Sequence, residues 1–329
     1  MEPLKLSNSE LRTFKRCRRQ WYLGYFLKWQ TQPANRAATG AAELGTRIHT
    51  ALEAHYGHGL NPLDALRVLY DLAYQDLPTF RDELIKERSY AMTMVEGFLD
   101  WSTEEGIDVD MKIVDVERVV ELEQETDLGP VVLRGKLDQL IERYSDGAIL
   151  FRDWKTVGTL SRADGLILDE QMRFYTMLLT LSNPDIRVDG GLYTMLLRSK
   201  RTARAAGPFY AQHEVAYNRY DVESMLLRSL AVAEEILAVI NKLEAGKDHR
   251  RVVFPSPGDH CRWSCPFEKM CPMMDDGSRW EALLAAHFIQ GDPYAYYERD
   301  DIDKVVQTLS GTGRSDYESG TVVQTEGND

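Results

Sequence analysis

The sequence predicts an α/β fold, with helices flanking a central mixed sheet, and three observations predict it. Helical periodicity runs from residue 7 to about residue 103. Three consecutive β-branched-rich runs then replace it, and helix and strand alternate once more before a long final helix. With 329 residues, 43% hydrophobic and 28% charged, the chain can bury the core of one large domain or two small ones. No apolar run approaches the ~20 residues of a membrane span. Met1–Glu10 lacks the apolar stretch of a signal peptide, so a cytoplasmic location without a membrane partner is expected.

The first element is an amphipathic helix over residues 7–29, capped by Ser7 or Ser9 and given an apolar side by Leu11, Phe14, Tyr22, Tyr25 and Phe26. It is also basic, with Lys5, Arg12, Lys15, Arg16, Arg18, Arg19 and Lys28 against Glu2 and Glu10. A polar stretch, Thr31 to Ala42, leads to a second helix over 43–56, where Leu44, Ile48 and Leu52 recur every fourth residue. Helical periodicity continues over 62–103. Runs 112–123, 131–144 and 148–155, separated by turn residues at Asp127–Pro130 and Ser145–Gly147, predict three antiparallel strands. A helix over 168–181, a strand over 188–198 and a long helix over 221–245 follow. Residues 253–275 are a Pro- and Cys-rich loop. Beyond a short helix after Trp280, the chain from about Gly291 carries nine acidic and three basic residues and reads as a flexible tail. The organisation is therefore an N-terminal helix (1–30), a core (43–250) with a helical insertion (62–103), a cysteine loop (251–275) and a C-terminal helix with an acidic tail (276–329).

The chemistry concentrates on two strands. Asp153 and Lys155 share one face of a strand, and Arg134, Lys136 and Asp138 share a face of the strand before it. Paired as a hairpin, the strands bring two carboxylates and a lysine together. That set suits a hard divalent cation such as Mg²⁺ or Mn²⁺, with the lysine orienting or deprotonating an attacking water. Taken alone, an Asp-x-Lys is more often a surface ion pair. In the second helix His49 and Glu53 lie on one face at i, i+4, and histidine is a common transition-metal ligand, although a single helical histidine is more often a core residue. Gln171 and Tyr175 share a face of the helix after the Asp-x-Lys strand, with Arg173 between them.

Four cysteines, Cys17, Cys261, Cys265 and Cys271, offer a second constellation, C-x3-C-x5-C with one thiol far upstream. In a reducing compartment such a group points to metal before disulfides. An iron–sulfur cluster, a zinc site and buried free thiols all remain open, the zinc reading being weakened by the lack of paired CxxC knuckles. The net charge of −13 argues against a nonspecific nucleic-acid coat but not against local binding by the basic helix and by Arg198, Lys200, Arg201 and Arg204.

In order, G-x-x-x-H-x-x-x-E (Gly45–Glu53), G-x-x-D (Gly135–Asp138), D-x-K (Asp153–Lys155) and Q-x-x-x-Y (Gln171–Tyr175) resemble the RecB-like branch of the PD-(D/E)XK nucleases. That branch includes bacterial and eukaryotic helicase–nucleases and the CRISPR-associated exonuclease. The resemblance implies a restriction-endonuclease-like core with an iron–sulfur cap formed by the N- and C-terminal segments. It also implies His49, Asp138 and Asp153 as metal ligands, with the Trp154 carbonyl added, and Lys155 as the catalytic lysine. Gln171 and Tyr175 would contact DNA, with Arg134 and Arg173 as further DNA-binding residues, and Cys17, Cys261, Cys265 and Cys271 would hold a 4Fe–4S cluster. Asp153 stands where many relatives have glutamate. The implied activity is hydrolysis of DNA from single-stranded or duplex ends, in recombination, repair or CRISPR adaptation, with a protein partner from one of those settings. No G-x-x-x-x-G-K-[ST] phosphate loop is present, so ATP hydrolysis is not expected. The alternatives are a non-catalytic iron–sulfur DNA-binding subunit and a zinc-stapled interaction protein.

Overall fold

The structure, a computed structural model, describes residues 2–32, 37–160, 163–184, 186, 188–201, 205–297 and 300–311. The chain opens with strand β1 (Leu4–Ser7), helix α1 (Asn8–Arg16) and the single turn α2 (Arg18–Trp21), followed by a π-helical turn over Tyr22–Phe26 and strand β2 (Trp29–Thr31). The uninterrupted helix expected over 7–29 is thus broken. Cys17 adopts an extended conformation (φ −160°, ψ 109°) while its N–H still donates to the Thr13 carbonyl at 2.9 Å. No Gly or Pro marks this break. It redirects the chain so that Trp21 and Leu23 can be buried.

Helices α3 (Ala41–His58), α4 (Pro62–Asp76) and α5 (Arg81–Glu104) form the expected helical region. Asn61 caps α4 by accepting from the N–H groups of Leu63 and Asp64, with Pro62 in the first turn where its missing N–H costs nothing. Strands β3 (Met111–Thr126), β4 (Gly129–Arg143) and β5 (Ile149–Val157) are the expected antiparallel run. Helices α6 (Ala163–Leu166) and α7 (Glu170–Ser182) lead to β6 (Val188–Leu197), parallel to β5, and then β7 (Tyr210–Ala216), antiparallel to β6. The sequence reading had not identified β1 or β7. Each is short, seven residues at most, and carries too little alternation to stand out. The long α8 (Arg219–Glu244) is followed by α9 (His249–Val252), α10 (His260–Ser264), α11 (Trp280–His287), strand β8 (Phe288–Gln290) and α12 (Asp300–Gly311).

The result is a mixed sheet with a core on each face. Against one face pack α1, α7 and α8, burying Leu133, Leu137, Phe151, Met177 and Ile236. Against the other pack α3, α4, α5 and α12, burying Ile48, Leu66, Phe98, Trp154 and Val305. The tail expected from Gly291 is therefore structured as far as Gly311; residues 312–329 lie outside the described residues, as do Arg204 and residues 298–299. Among the described residues no helix is long and apolar enough to cross a membrane.

One topological feature positions the chemistry. A strand has two hydrogen-bonding edges, and β3 occupies one edge of β4 along nearly its whole length. The other edge is shared: β1 pairs with Val131–Arg134 and β5 with Gln139–Glu142. Residues Gly135–Asp138 fall in the fork between these partners.

Candidate active site

Alternation along β4 turns Lys136 and Asp138 toward α3, while Asp153 and Lys155 on β5 face α7. The fork lets side chains from both faces meet. His49 of α3 places Nδ1 3.3 Å from Asp138 Oδ2, and the same oxygen accepts from the Trp154 backbone N–H at 2.9 Å. Lys155 Nζ lies 2.9 Å from Asp153 Oδ2 and donates to Asp153 Oδ1 and to Gln171 Oε1, each at 3.1 Å. Gln171 Nε2 in turn donates to Asp153 Oδ1 and to the Tyr175 hydroxyl, each at 3.2 Å. All seven of these residues had been singled out in the sequence, six as site residues and Trp154 for its carbonyl, and the fold brings them together.

Two motif glycines have a steric cause here. A Cβ on Gly135 would stand 2.8 Å from the Tyr175 ring and 2.9 Å from Leu178, so α7 can approach β4 only over a bare backbone. A Cβ on Gly45 would meet Thr156 Oγ1 at 3.1 Å, which sets the close crossing of α3 over β5.

The electrostatics separate the two carboxylates. Burial raises the Asp153 carboxyl to about 6; Lys155 opposes the rise and Asp138 adds to it. Burial acts on Asp138 in the same sense, but His49, Lys155 and the Trp154 N–H outweigh it and hold that carboxyl below its ordinary range. Burial would lower His49 and Lys155, yet the facing carboxylates, Asp138 for His49 and Asp153 first for Lys155, raise both. Asp153 Oδ2 is buried and receives no hydrogen bond of good geometry, Lys155 being its near cation. Two adjacent carboxylates, one with such an oxygen, leave acceptor capacity that an added cation would take up. The donor set, one imidazole and two carboxylates, fits a divalent metal.

The site opens into a cleft of about 490 Å³ whose lining includes Ser9, Thr46, His49, Asp138, Gln171 and Tyr175. Several of its features escaped the sequence reading. Lys136 reaches Glu117 at 2.6 Å, and Glu117 holds a left-handed backbone (φ 55°) that a non-glycine residue adopts at a cost of roughly 1 kcal/mol. Tyr296 and Tyr297, from the segment expected to be a flexible tail, line the same cleft. The density of tyrosine in Pro293–Tyr297 was the available signal.

The expected DNA-contacting arginines diverge. Arg134 lies under the ring of Tyr297, which lines the cleft, 3.9 Å from guanidinium carbon to ring centre, and 3.6 Å from Glu121, without lining the cleft itself. Arg173 instead donates to the Ile167 carbonyl at 3.0 Å, lies 3.8 Å from Asp221 and packs over Tyr217, away from the cleft lining. The basic N-terminal patch is largely neutralised as well. Lys5 lies 3.6 Å from Glu121, Lys15 and Arg18 each 2.6 Å from Glu170 and Glu235, and Arg19 is buried.

All four cysteines line a second cavity, of about 330 Å³. All are free thiols. Burial raises the Cys265 thiol to about 11, and the other three thiols add to that rise, so each lies within electrostatic reach of it. Arg19 ties the upstream thiol's turn to the downstream loop. Its guanidinium makes two bonds to Asp275, at 2.6 and 2.9 Å, donates to the Cys271 carbonyl at 3.1 Å and reaches Cys271 Sγ at 3.7 Å. Four thiolates here would need compensating positive charge, which fits a thiolate-bound metal group. Among the described residues, no group of three or more His, Cys, Asp or Glu side chains is already drawn together closely enough to hold a metal ion as it stands.

Comparison with protein families gives an extended match. Residues 5–272 match the family described as the PD-(D/E)XK nuclease superfamily. No curated protein matches the sequence. Among solved structures, a candidate exonuclease from Eubacterium rectale is similar at 12% identity and a TM-score of 0.47, covering 79% of this chain and 88% of that one. The protein SSO0001 is similar at 13% identity and a TM-score of 0.30, covering 70% of this chain and 95% of its own.

Proposed function

The chain belongs to the PD-(D/E)XK nuclease superfamily, and from that premise we propose that it is a divalent-metal-dependent DNA exonuclease whose terminal segments are joined by a 4Fe–4S cluster. The observation that carries the reading is the meeting of Asp138, Asp153 and Lys155 at the β4 fork, beside His49, with Asp138 and His49 lining a cleft. His49, Asp138 and Asp153 would hold Mg²⁺ or Mn²⁺, joined by the Trp154 carbonyl, once their side chains turn inward from their present partners. The bound ion would supply Lewis-acid polarisation of the scissile phosphate and a water of lowered pKa. Lys155 offsets charge on the phosphate and orients the attacking water, while Gln171 fixes the lysine and Asp153 relative to each other. Tyr175, held by Gln171 and packed against Gly135, limits the space beside the reacting phosphate.

Asp153→Ala, Asp138→Ala and Lys155→Ala are each expected to abolish Mg²⁺- or Mn²⁺-dependent cleavage of DNA while binding persists, and His49→Ala to weaken metal use. Full activity in the Asp153 and Lys155 variants would sink the reading and favour a non-catalytic DNA-binding subunit. The substrate is single-stranded DNA or frayed ends, cleaved without sequence preference to 5′-phosphate and 3′-hydroxyl products, in recombination, repair or CRISPR adaptation. Matched linear and closed-circular single strands beside a blunt duplex decide this. Equal rates on the circle exclude an end requirement, and faster loss of the blunt duplex excludes the single-strand preference.

The convergence of four thiols on one cavity supports the cluster. Anaerobically purified protein is expected to be brown and to contain iron and sulfide. A colourless protein holding one equivalent of zinc would replace the cluster with a zinc staple.

A further inference from the structure

Residues 288–297 and 300–311 form a strap that leads from the cysteine region past the cleft, whose lining takes in Tyr296 and Tyr297. Strand β8 pairs antiparallel with β2, and the Gly291 N–H donates to the Lys28 carbonyl at 3.0 Å. The Tyr294 hydroxyl bonds to the Glu10 carboxyl and donates to the Lys5 carbonyl at 3.1 Å. At its far end α12 buries Ile302 and Val305 against α3 and α4. Between these anchors stand Tyr296 and Tyr297, with ring centres 4.5 Å apart.

Arg134 supports this pair from beneath, its guanidinium 3.9 Å from the Tyr297 ring centre. Arg134, Tyr297 and Tyr296 thus form a contiguous series, the two rings tilted 37° to each other, that begins on β4, four residues before Asp138, and ends with the two tyrosines in the cleft lining. The outermost ring, Tyr296, is 46% exposed. An exposed ring held in place by two anchored partners loses little entropy when a further planar group settles on it.

We propose that Arg134, Tyr297 and Tyr296 form a stacking platform for an unpaired base beside the scissile phosphate, so that the strap selects a strand whose bases are unstacked. The proposal deepens the nuclease reading and rests on it for the identity of the ligand as DNA. A planar base offers a π-face whatever its identity, so the platform is tolerant of sequence. A base inside a duplex has both faces covered by its neighbours and gains nothing from the ring.

The experiment uses the full chain and a single-stranded oligonucleotide carrying 2-aminopurine at successive positions from one end, in EDTA so that no cleavage occurs. Wild type is expected to quench the fluorescence at one position. Tyr296→Phe, which keeps the ring, should preserve the quenching and the affinity. Tyr296→Ala should remove the quenching and raise Kd for the single strand roughly 10-fold, the scale of one lost base–aromatic stack, with blunt-duplex affinity unchanged. An unaltered quenching pattern and Kd in Tyr296→Ala would overturn the platform. An equal loss on single strand and duplex would also overturn it, since that marks general damage to the cleft. A wild type that quenches as expected yet never cleaves DNA with Mg²⁺ or Mn²⁺ would refute the nuclease reading while leaving the platform in place.

Discussion

Glu10 shows how much one buried side chain can reveal about this protein. Burial raises its carboxyl to about 8, while the Trp21 indole N–H, donating at 2.7 Å, pulls the other way. Tyr294 meets the second oxygen, and Tyr25 is the other titratable ring within its field. An unfolded glutamate releases its proton near 4.5, whereas the folded chain keeps it to about 8. Between those values the folded state binds more protons than the unfolded one, so this residue makes stability fall as pH rises. Glu10→Gln, which retains an acceptor for Trp21 and cannot ionise, should flatten the decline. Urea midpoints of both proteins across pH 5 to 8 (roughly the interval between the two values) read this directly. Parallel curves would mean that Glu10 is ionised in the fold. At Gly135 the argument is steric. Gly135→Ala forces a methyl to within 3 Å of Tyr175 and Leu178, costing about 1–3 kcal/mol as overpacking does and moving Tyr175 out of reach of Gln171. Denaturation and cleavage should therefore both suffer, and an alanine variant of wild-type stability and activity would contradict the close packing of α7 on β4.

Among elements, the break between α1 and α2 carries the most consequence. Hydrophobic spacing over residues 7–29 satisfies a helix throughout, and the residue there that disfavours one, Gly24, lies seven positions beyond the break. Tertiary contact overrides that propensity at Cys17, where one extended residue turns the chain and lets Arg19 reach Asp275 and the Cys271 carbonyl. The bidentate bond to Asp275 needs a planar fork, which lysine lacks. Arg19→Lys and Arg19→Ala should both lose about 1–2 kcal/mol. The figure is set low because Asp275 remains 48% exposed and keeps its water when the arginine goes. Chemical denaturation measures the loss. If the cysteines hold a cluster, both variants should also release iron faster than wild type. Full recovery by lysine would show that charge alone matters at this position.

For the whole molecule, the decisive feature is that an N-terminal strand and the segment around Tyr296 and Tyr297 both reach the cleft region. Strand β1 supplies one side of the β4 fork, and the strap supplies its aromatic rim. The strap's hold depends on α12, whose Val305 is wholly buried beside α3 and α4. Val305→Asp would place a carboxylate in that apolar seam, a change that cannot be tolerated without undocking the helix. The expected outcome is protease cleavage between Gly291 and Gly311 with the sheet and the remaining helices intact by circular dichroism. Single-strand affinity should fall as it does for Tyr296→Ala. Resistance to protease in this variant would mean that other contacts hold the strap.

The sequence by itself determined the α/β class, the order of the main elements and the residues gathered at the fork, because each rests on local information. Alternation puts Asp153 and Lys155 on one face, and helical spacing pairs Gln171 with Tyr175. Only the tertiary structure decided which of the remaining polar residues face the cleft. Arg173 read as a DNA contact and Arg19 as part of a basic helix, yet one packs against Tyr217 and Asp221 and the other is buried on Asp275. Glu117 and Lys136 meet across two strands, and Tyr296 arrives from a segment whose composition suggested a tail. Such contacts depend on partners tens to hundreds of residues away. Burial is a property of the assembled layers, and no local pattern encodes it for a charged or aromatic side chain that could equally face water.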